Sequence, residues 1–217
     1  MYVILLGPPG VGKGTQGALL AAKMGWQRLA TGDLLRAARA AGSVLGHEAQ
    51  TYMATGELVP DRVIIDMVKD KLSTLPAGTG VIFDGFPRNT EQASAFSMML
   101  QALGLSIDRV IVLEADEEML TKRIAGRRSC PKCGSVYNTV LDPPQREGVC
   151  DQDGNALIHR EDDTAETVTH RLSVYHEATE PLIAYYEASK SPVHHVRSDQ
   201  SVEVVQREVR AALGLGV

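Results

Sequence analysis

The segment Gly7-Pro8-Pro9-Gly10-Val11-Gly12-Lys13-Gly14-Thr15 follows a short apolar run, Tyr2–Leu6, and precedes a stretch with helical apolar spacing. Glycines at that spacing let the backbone bend until several N–H groups face one anion. The start of the helix adds a favourable dipole, and Lys13 adds a full charge. The pattern and its context predict a phosphate-binding loop for a nucleoside triphosphate. The general pattern has Ser or Thr directly after the Lys, to hold magnesium. Here Gly14 takes that place and Thr15 comes next. That order argues against a motor ATPase or a GTPase. It implies that Thr15 contacts phosphate and that Mg2+ is held largely through water and nucleotide oxygens.

Further on, Val81-Ile82-Phe83-Asp84 ends an apolar run in a carboxylate, followed directly by Gly85-Phe86-Pro87-Arg88. An Asp at a strand end beside a phosphate loop orients the water shell of magnesium. The plainer alternative is a loop Asp that caps the next turn. Arg88 then falls where a guanidinium can fork onto phosphate. Thr31-Gly32-Asp33-Leu34-Leu35-Arg36 offers a second arginine near a helix start. Taken alone, Arg36 reads as a solvated surface residue.

All three cysteines lie in one pattern, Cys130-Pro131-Lys132-Cys133 and later Cys150-Asp151-Gln152-Asp153. Two such knuckles bring four ligands to a tetrahedral point, and zinc favours thiolate. The spacing makes Asp153 the fourth ligand, with Asp151 and His159 as weaker candidates and iron as an alternative ion. Four protein ligands would make the site structural and not catalytic. Residues 128–159 are too few and too polar to bury a core, so a metal would supply their folding energy.

The elements that must position these groups follow from periodicity. Apolar runs predict strands at Tyr2–Leu6, Gln27–Ala30, 80–84, Arg109–Glu114 and 193–196. Helical spacing and breaker residues predict helices over Lys13–Met24, 33–41, 44–54, 61–72, 89–103, 116–127 and 201–213. Strand–helix alternation means an α/β fold: a five-stranded parallel sheet flanked by helices, with ligands beyond the carboxyl ends of its strands. Asp163 three residues before Glu166 has the spacing of a capping box; Asp162 and Asp163 could cap the next helix, orient arginines, or do both. Pro181 should kink or interrupt the helix that follows.

Composition bounds the rest. The 217 residues are 44% hydrophobic and 23% charged, enough for one sizeable core with small inserts. A net charge of -5 and only 5% aromatics argue against a nucleic-acid partner. No apolar run reaches the length of a membrane span, and no signal peptide is seen. An odd number of cysteines argues against a disulfide framework. A soluble, cytoplasmic monomer is the expectation.

Taken together, Gly-x-Pro-Gly-x-Gly-Lys-Gly-Thr, Thr-Gly-Asp-x-Leu-Arg and Asp-Gly-Phe-Pro-Arg resemble the nucleoside monophosphate kinases, and adenylate kinases most. The resemblance covers nearly the whole chain. It implies a phosphate-loop core (1–29, 60–121 and 164–217), an AMP-binding insert (30–59) and a zinc-bearing lid (122–163). The activity implied is transfer of a phosphoryl group from ATP to AMP, giving two ADP. On the ATP side the resemblance implies Gly10, Val11, Gly12, Lys13, Gly14, Thr15, Arg123 and Arg127. It adds Val136 and Tyr137 near the donor base, and backbone contact at Gln200. On the AMP side it implies Thr31, Arg36, Arg88 and Gln92, with Glu57, Leu58, Val59 and Gly85 enclosing adenine and phosphate. Lys13, Arg88, Arg127, Arg160 and Arg171 would stabilise the transferring group, Asp84 would face magnesium, and Cys130, Cys133, Cys150 and Asp153 would hold zinc. Two readings compete: a kinase for UMP, CMP or GMP, and a zinc-ribbon nucleic-acid binder that uses ATP only as a ligand.

Overall fold

The computed structural model describes residues 1–189 and 191–216. Lys190 and Val217, both inside the predicted core segment 164–217, lie outside the described residues. In chain order the strands are β1 (Tyr2–Leu6), β2 (Gln27–Ala30), β3 (Val81–Asp84), β4 (Arg109–Glu114), β5 (Arg127–Ser129), β6 (Val136–Asn138) and β7 (Val193–Arg197). Five of them form a parallel sheet in the order β2-β3-β1-β4-β7, as expected from the alternation; β5 and β6 pair antiparallel in the small insert.

The central strands are buried on both faces, which is why they read as continuous apolar runs. Ile4, Leu6, Phe83, Val110 and Val112 face one side and pack with Phe86 and Phe96. Val3, Leu5, Ile82, Ile111 and Leu113 face the other, with Leu20, Leu120, Val205 and Val209. Phe96 meets Phe83 and Phe86 edge-on, at centroid distances of 4.8 and 5.0 Å, the favoured aromatic geometry. Leu5 pairs in register with Asp84, and Asp84 with Ala30, so Gly7, Gly85 and Thr31 emerge along one edge of the sheet.

The helices are α1 (Lys13–Met24), α2 (Thr31–Ala40), α3 (Val44–Thr55), α4 (Asp61–Ser73), α5 (Thr90–Ala102), α6 (Glu117–Ala125), α7 (Ala165–Val174), α8 (Leu182–Glu187) and α9 (Val202–Ala212). α1 starts after Gly12 and stops at Gly25, both left-handed, at φ 105° and 66°. Most predicted spans match to within a residue or two, and three places differ.

The helix predicted to reach residue 127 ends at Ala125. The Asn138 side-chain amide donates to the Arg123 carbonyl at 2.9 Å, and Thr139 N donates to Gly126 O at 2.9 Å. These contacts satisfy helix-end carbonyls that a further turn would have used, and Arg127 opens β5 instead. Asp163 does not cap α7. Thr164 does, accepting from Thr167 N at 3.2 Å, while Asp163 is buried against Arg127 and Arg171. The interruption expected at Pro181 is a π turn over Tyr175–Thr179, just before α8. Pro181 itself sits at φ -57° at the start of α8, where its ring is accommodated without strain. The cysteine-bearing insert has little core of its own: Cys130, Tyr137 and Cys150, with Leu157 against them.

Candidate active site

A cleft of about 1440 Å³ opens at the carboxyl edge of the sheet. It exceeds the roughly 300–1,000 Å³ of a single-ligand pocket, so two nucleotides can share it. Residues 10–15 of the phosphate loop line it. Lys13 Nζ donates to the carbonyls of Gly7 at 2.5 Å and Pro8 at 2.9 Å. Burial, with repulsion from Arg88, Arg171 and Arg127, pushes its pKa down to about 7 against the attraction of Asp84.

Asp84 ends β3 beside this loop, and its side chain is 9% exposed. Its Oδ2 accepts from Arg28 Nη2 at 2.6 Å and Nε at 3.0 Å. Arg28 Nη1 donates to Asp33 Oδ2 at 3.0 Å, and Asp33 Oδ1 accepts from Arg36 Nη2 at 2.5 Å. Sequence reading missed Arg28. Its position in β2 looks like an outward turn of the alternation, and nothing local connects it to a carboxylate one strand away. Gly14 lies against this pair: a Cβ there would come 3.2 Å from Arg28 Nη2, a tight approach to a flexible guanidinium, and 3.7 Å from Asp84 Oδ2, an ordinary contact. Among the described residues Asp84 Oδ1 has no hydrogen-bond partner, in contrast to Oδ2.

The residues expected on the acceptor side line the same cleft: Thr31, Arg36, Glu57, Leu58, Val59, Gly85, Arg88 and Gln92. Thr31 and Gln92 are buried. Thr31 Oγ1 donates to Gly85 O at 2.8 Å, and Gln92 Oε1 accepts from Arg88 N at 2.8 Å. Gln92 Nε2 donates to Asp61 Oδ1 at 2.7 Å, a partner 31 residues away that no local pattern suggests. These bonds lock the backbone that carries Arg88, whose Nε donates to Gly85 O at 2.9 Å.

Arg127, Arg160 and Arg171 also line the cleft. Asp163 accepts from both Arg127 and Arg171, and Asp162 Oδ2 accepts from Arg171 Nη1 at 3.1 Å. Arg160 Nε donates to Ser129 Oγ at 2.8 Å. Burial, then repulsion from neighbouring guanidinium groups, lowers the pKa of Arg88 and of Arg160 to about 10. These side chains stay charged at neutral pH, but they are crowded with like charge. An anion among them relieves that cost.

Among the residues expected on the ATP side, Arg123 Nη2 donates to Ser198 O at 2.6 Å and so ties α6 to the loop after β7, next to Gln200. Val136, Tyr137 and Gln200 line the cleft. The Tyr137 hydroxyl nevertheless turns into the insert, accepting from Asp151 N at 2.9 Å and lying 3.6 Å from Cys150 Sγ.

Away from the cleft, Cys130, Cys133, Cys150 and Asp153 bring their ligand atoms within 4.8 Å of one another. Cys130 Sγ lies 3.4 Å from each Asp153 carboxylate oxygen, and Cys133 Sγ 3.5 Å from Cys150 Sγ. A tetrahedral zinc with bonds of about 2.3 Å to sulfur and 2.0–2.2 Å to oxygen needs ligand atoms about 3.4–3.8 Å apart. The four residues fit a zinc-sized ion. Asp151 Oδ1 is instead occupied by Gln145 N at 3.0 Å.

A phosphate loop sharing one cleft with crowded guanidinium groups is built to move a phosphoryl group between two bound anions, and with this sheet it defines a P-loop phosphotransferase. Comparison with known proteins narrows the class. The family model described as adenylate kinase matches residues 5–191. An adenylate kinase of Hydrogenobaculum sp. is 44% identical over 98% of this chain and 100% of its own length. One from Geobacter sp. is 46% identical over 98% and 99%, and one from Streptomyces griseus 49% identical over 87% and 86%. The chain belongs to the adenylate kinase family.

Proposed function

We propose that the protein transfers the terminal phosphoryl group of ATP reversibly to AMP, giving two ADP, and so balances the adenine nucleotides. The observation that carries this reading is that the phosphate loop and the five arginines at 36, 88, 127, 160 and 171 line a single cleft. Phosphoryl transfer needs little covalent help; it needs in-line positioning and stabilisation of charge on the moving group. In this reading Lys13 and the N–H groups of residues 10–15 hold the donor phosphates. Arg36 and Arg88 hold the AMP phosphate, while Thr31, Gln92 and the backbone at Glu57, Leu58, Val59 and Gly85 enclose AMP. Arg127, Arg160 and Arg171 gather on the group in flight, and Arg123, Val136, Tyr137 and Gln200 border the donor base. Magnesium, when bound with ATP, neutralises phosphate charge, and Asp84 orients its water shell.

The segments 30–59 and 122–163 close over the core (1–29, 60–121 and 164–217) and keep water from competing with AMP as acceptor. One structural zinc holds the second of these together. We place the protein in the cytoplasm as a monomer. Its three cysteines converge with Asp153 on one candidate metal site, and no helix among the described residues is long and apolar enough to cross a membrane.

The test is a coupled assay that offers ATP with AMP, UMP, CMP and GMP in turn. ADP formation with AMP at a kcat/KM well above the others is expected. A preference for UMP, CMP or GMP overturns the acceptor assignment. No transfer with any, together with salt-sensitive nucleic-acid binding, overturns the enzyme reading.

A further inference from the structure

We infer that Arg28 is a positioning residue that competes with magnesium for Asp84 and thereby sets how much divalent ion the reaction requires. The inference rests on the adenylate kinase reading and on Asp84 facing the magnesium water shell.

The side chain of Arg28 lies in a seat made for it. A Cβ at Gly14 would come 3.2 Å from its Nη2, and one at Gly17 3.3 Å from its Cδ. These two glycines stand one turn apart on the same face of α1, and the arginine stem runs across the gap they leave. Its guanidinium then spends two N–H groups on a single oxygen, Asp84 Oδ2, and a third on Asp33. The Arg28 side chain is 24% exposed and that of Asp84 9%. An exposed ion pair would contribute little. This one is a partly buried fork on the carboxylate that magnesium also needs.

Two consequences follow from charge and geometry. A hydrated divalent cation approaching Asp84 meets one available oxygen and works against a unit positive charge beside it. The same guanidinium, through Asp33, also orients Arg36 on the acceptor side, so one cation serves both halves of the cleft. Arg28 keeps Asp84 aimed when the divalent ion is scarce, and its charge weakens the hold on that ion when it is present.

The experiment titrates Mn2+ into the full chain with a non-transferable ATP analogue and reads free ion by its electron paramagnetic resonance signal. The half-saturating free Mg2+ of the forward reaction is measured alongside. Arg28→Gln and Arg28→Met are expected to tighten Mn2+ binding by about threefold or more and to lower the Mg2+ requirement by a similar factor, since a neighbouring unit charge is removed. Arg28→Lys, which restores the charge, is expected to return both values toward the parent. A purely structural role would lower kcat or thermal stability without moving the metal titration. Arg28 variants that fold and bind Mn2+ like the parent, or more weakly, overturn the inference, as does a Lys variant shifted as far as Gln. If either neutral variant fails to fold, the other decides. Asp84→Asn separates the two levels. If it leaves Mn2+ binding unchanged, Asp84 does not face the ion and both ideas fall. If it weakens binding while the Arg28 variants do not move, only the role of Arg28 falls.

Discussion

Lys13 is where the cost of building a phosphate site is concentrated. Its half-buried ammonium group donates to two backbone carbonyls. Desolvation is the largest influence holding its pKa near 7, with three arginines adding to it. A bound triphosphate supplies the missing negative charge, so the nucleotide complex favours the protonated lysine and raises its pKa. The sign follows: above about pH 7 the free protein is largely deprotonated at Lys13, and nucleotide binding takes up a proton. ATP binding at about pH 8 is expected to take up close to one proton, falling toward none at Lys13 below about pH 6, with affinity declining as pH rises past 7. Calorimetry in buffers of different ionisation enthalpy measures the uptake, and Lys13→Met subtracts the nucleotide's own titration. Equal uptake in parent and Met variant would show that Lys13 is charged throughout.

At the scale of elements, the joint between the cysteine-bearing insert and the core is made by Asp163. Its side chain is 0% exposed, and its partners Arg127 on β5 and Arg171 on α7 are 16% and 20% exposed. Removing one partner of a buried ion pair strands the others. Asp163→Asn should therefore cost about 3–5 kcal/mol in urea unfolding, whereas Thr164→Ala, which removes only the cap of α7, should cost about 1 kcal/mol. The reverse order would mean that Asp163 acts mainly as a local cap. The contrast also shows where sequence reading stops. Asp163/Glu166 and Thr164/Thr167 offer two caps one residue apart, and local spacing cannot choose between them. What chooses is Arg127, a partner 36 residues away. Strands fared better because each carries its own burial pattern: YVILL, VIFD and RVIVLE are buried on both faces and could hardly be anything else. The phosphate loop was legible for the same reason, its pattern and its strand-to-helix context being contiguous. Arg28 was not, since its meaning depends on Asp84 from the adjacent strand and on two glycines of the helix above it.

Over the whole molecule, stability is divided unequally. The parallel sheet is buried from both sides by helices. The cysteine-bearing insert instead relies on one short antiparallel pair, isolated bridges such as Ser129–Ile158 and Val149–Ala156, and a cluster of three buried side chains, two of them candidate metal ligands. A metal at Cys130, Cys133, Cys150 and Asp153 would then supply most of the folding free energy of that unit, a contribution known to reach roughly 10 kcal/mol or more in small zinc modules. Stripping the metal with a chelator should melt the insert and spare the sheet. Hydrogen exchange followed by mass spectrometry is expected to show amides of 127–138 and 149–158 losing protection by at least about tenfold, while those of β1, β3 and β4 stay as slow as before. Phosphoryl transfer should fall in the same sample, because Arg127 and Arg160 are carried on the part that melts, and adding zinc back should restore both. Cys133→Ser should reproduce the stripped pattern without a chelator. Protection that is unchanged everywhere would mean that the insert folds without its metal. Protection lost uniformly, sheet included, would mean that the two parts unfold as one cooperative unit and that the insert is not a separate moving piece.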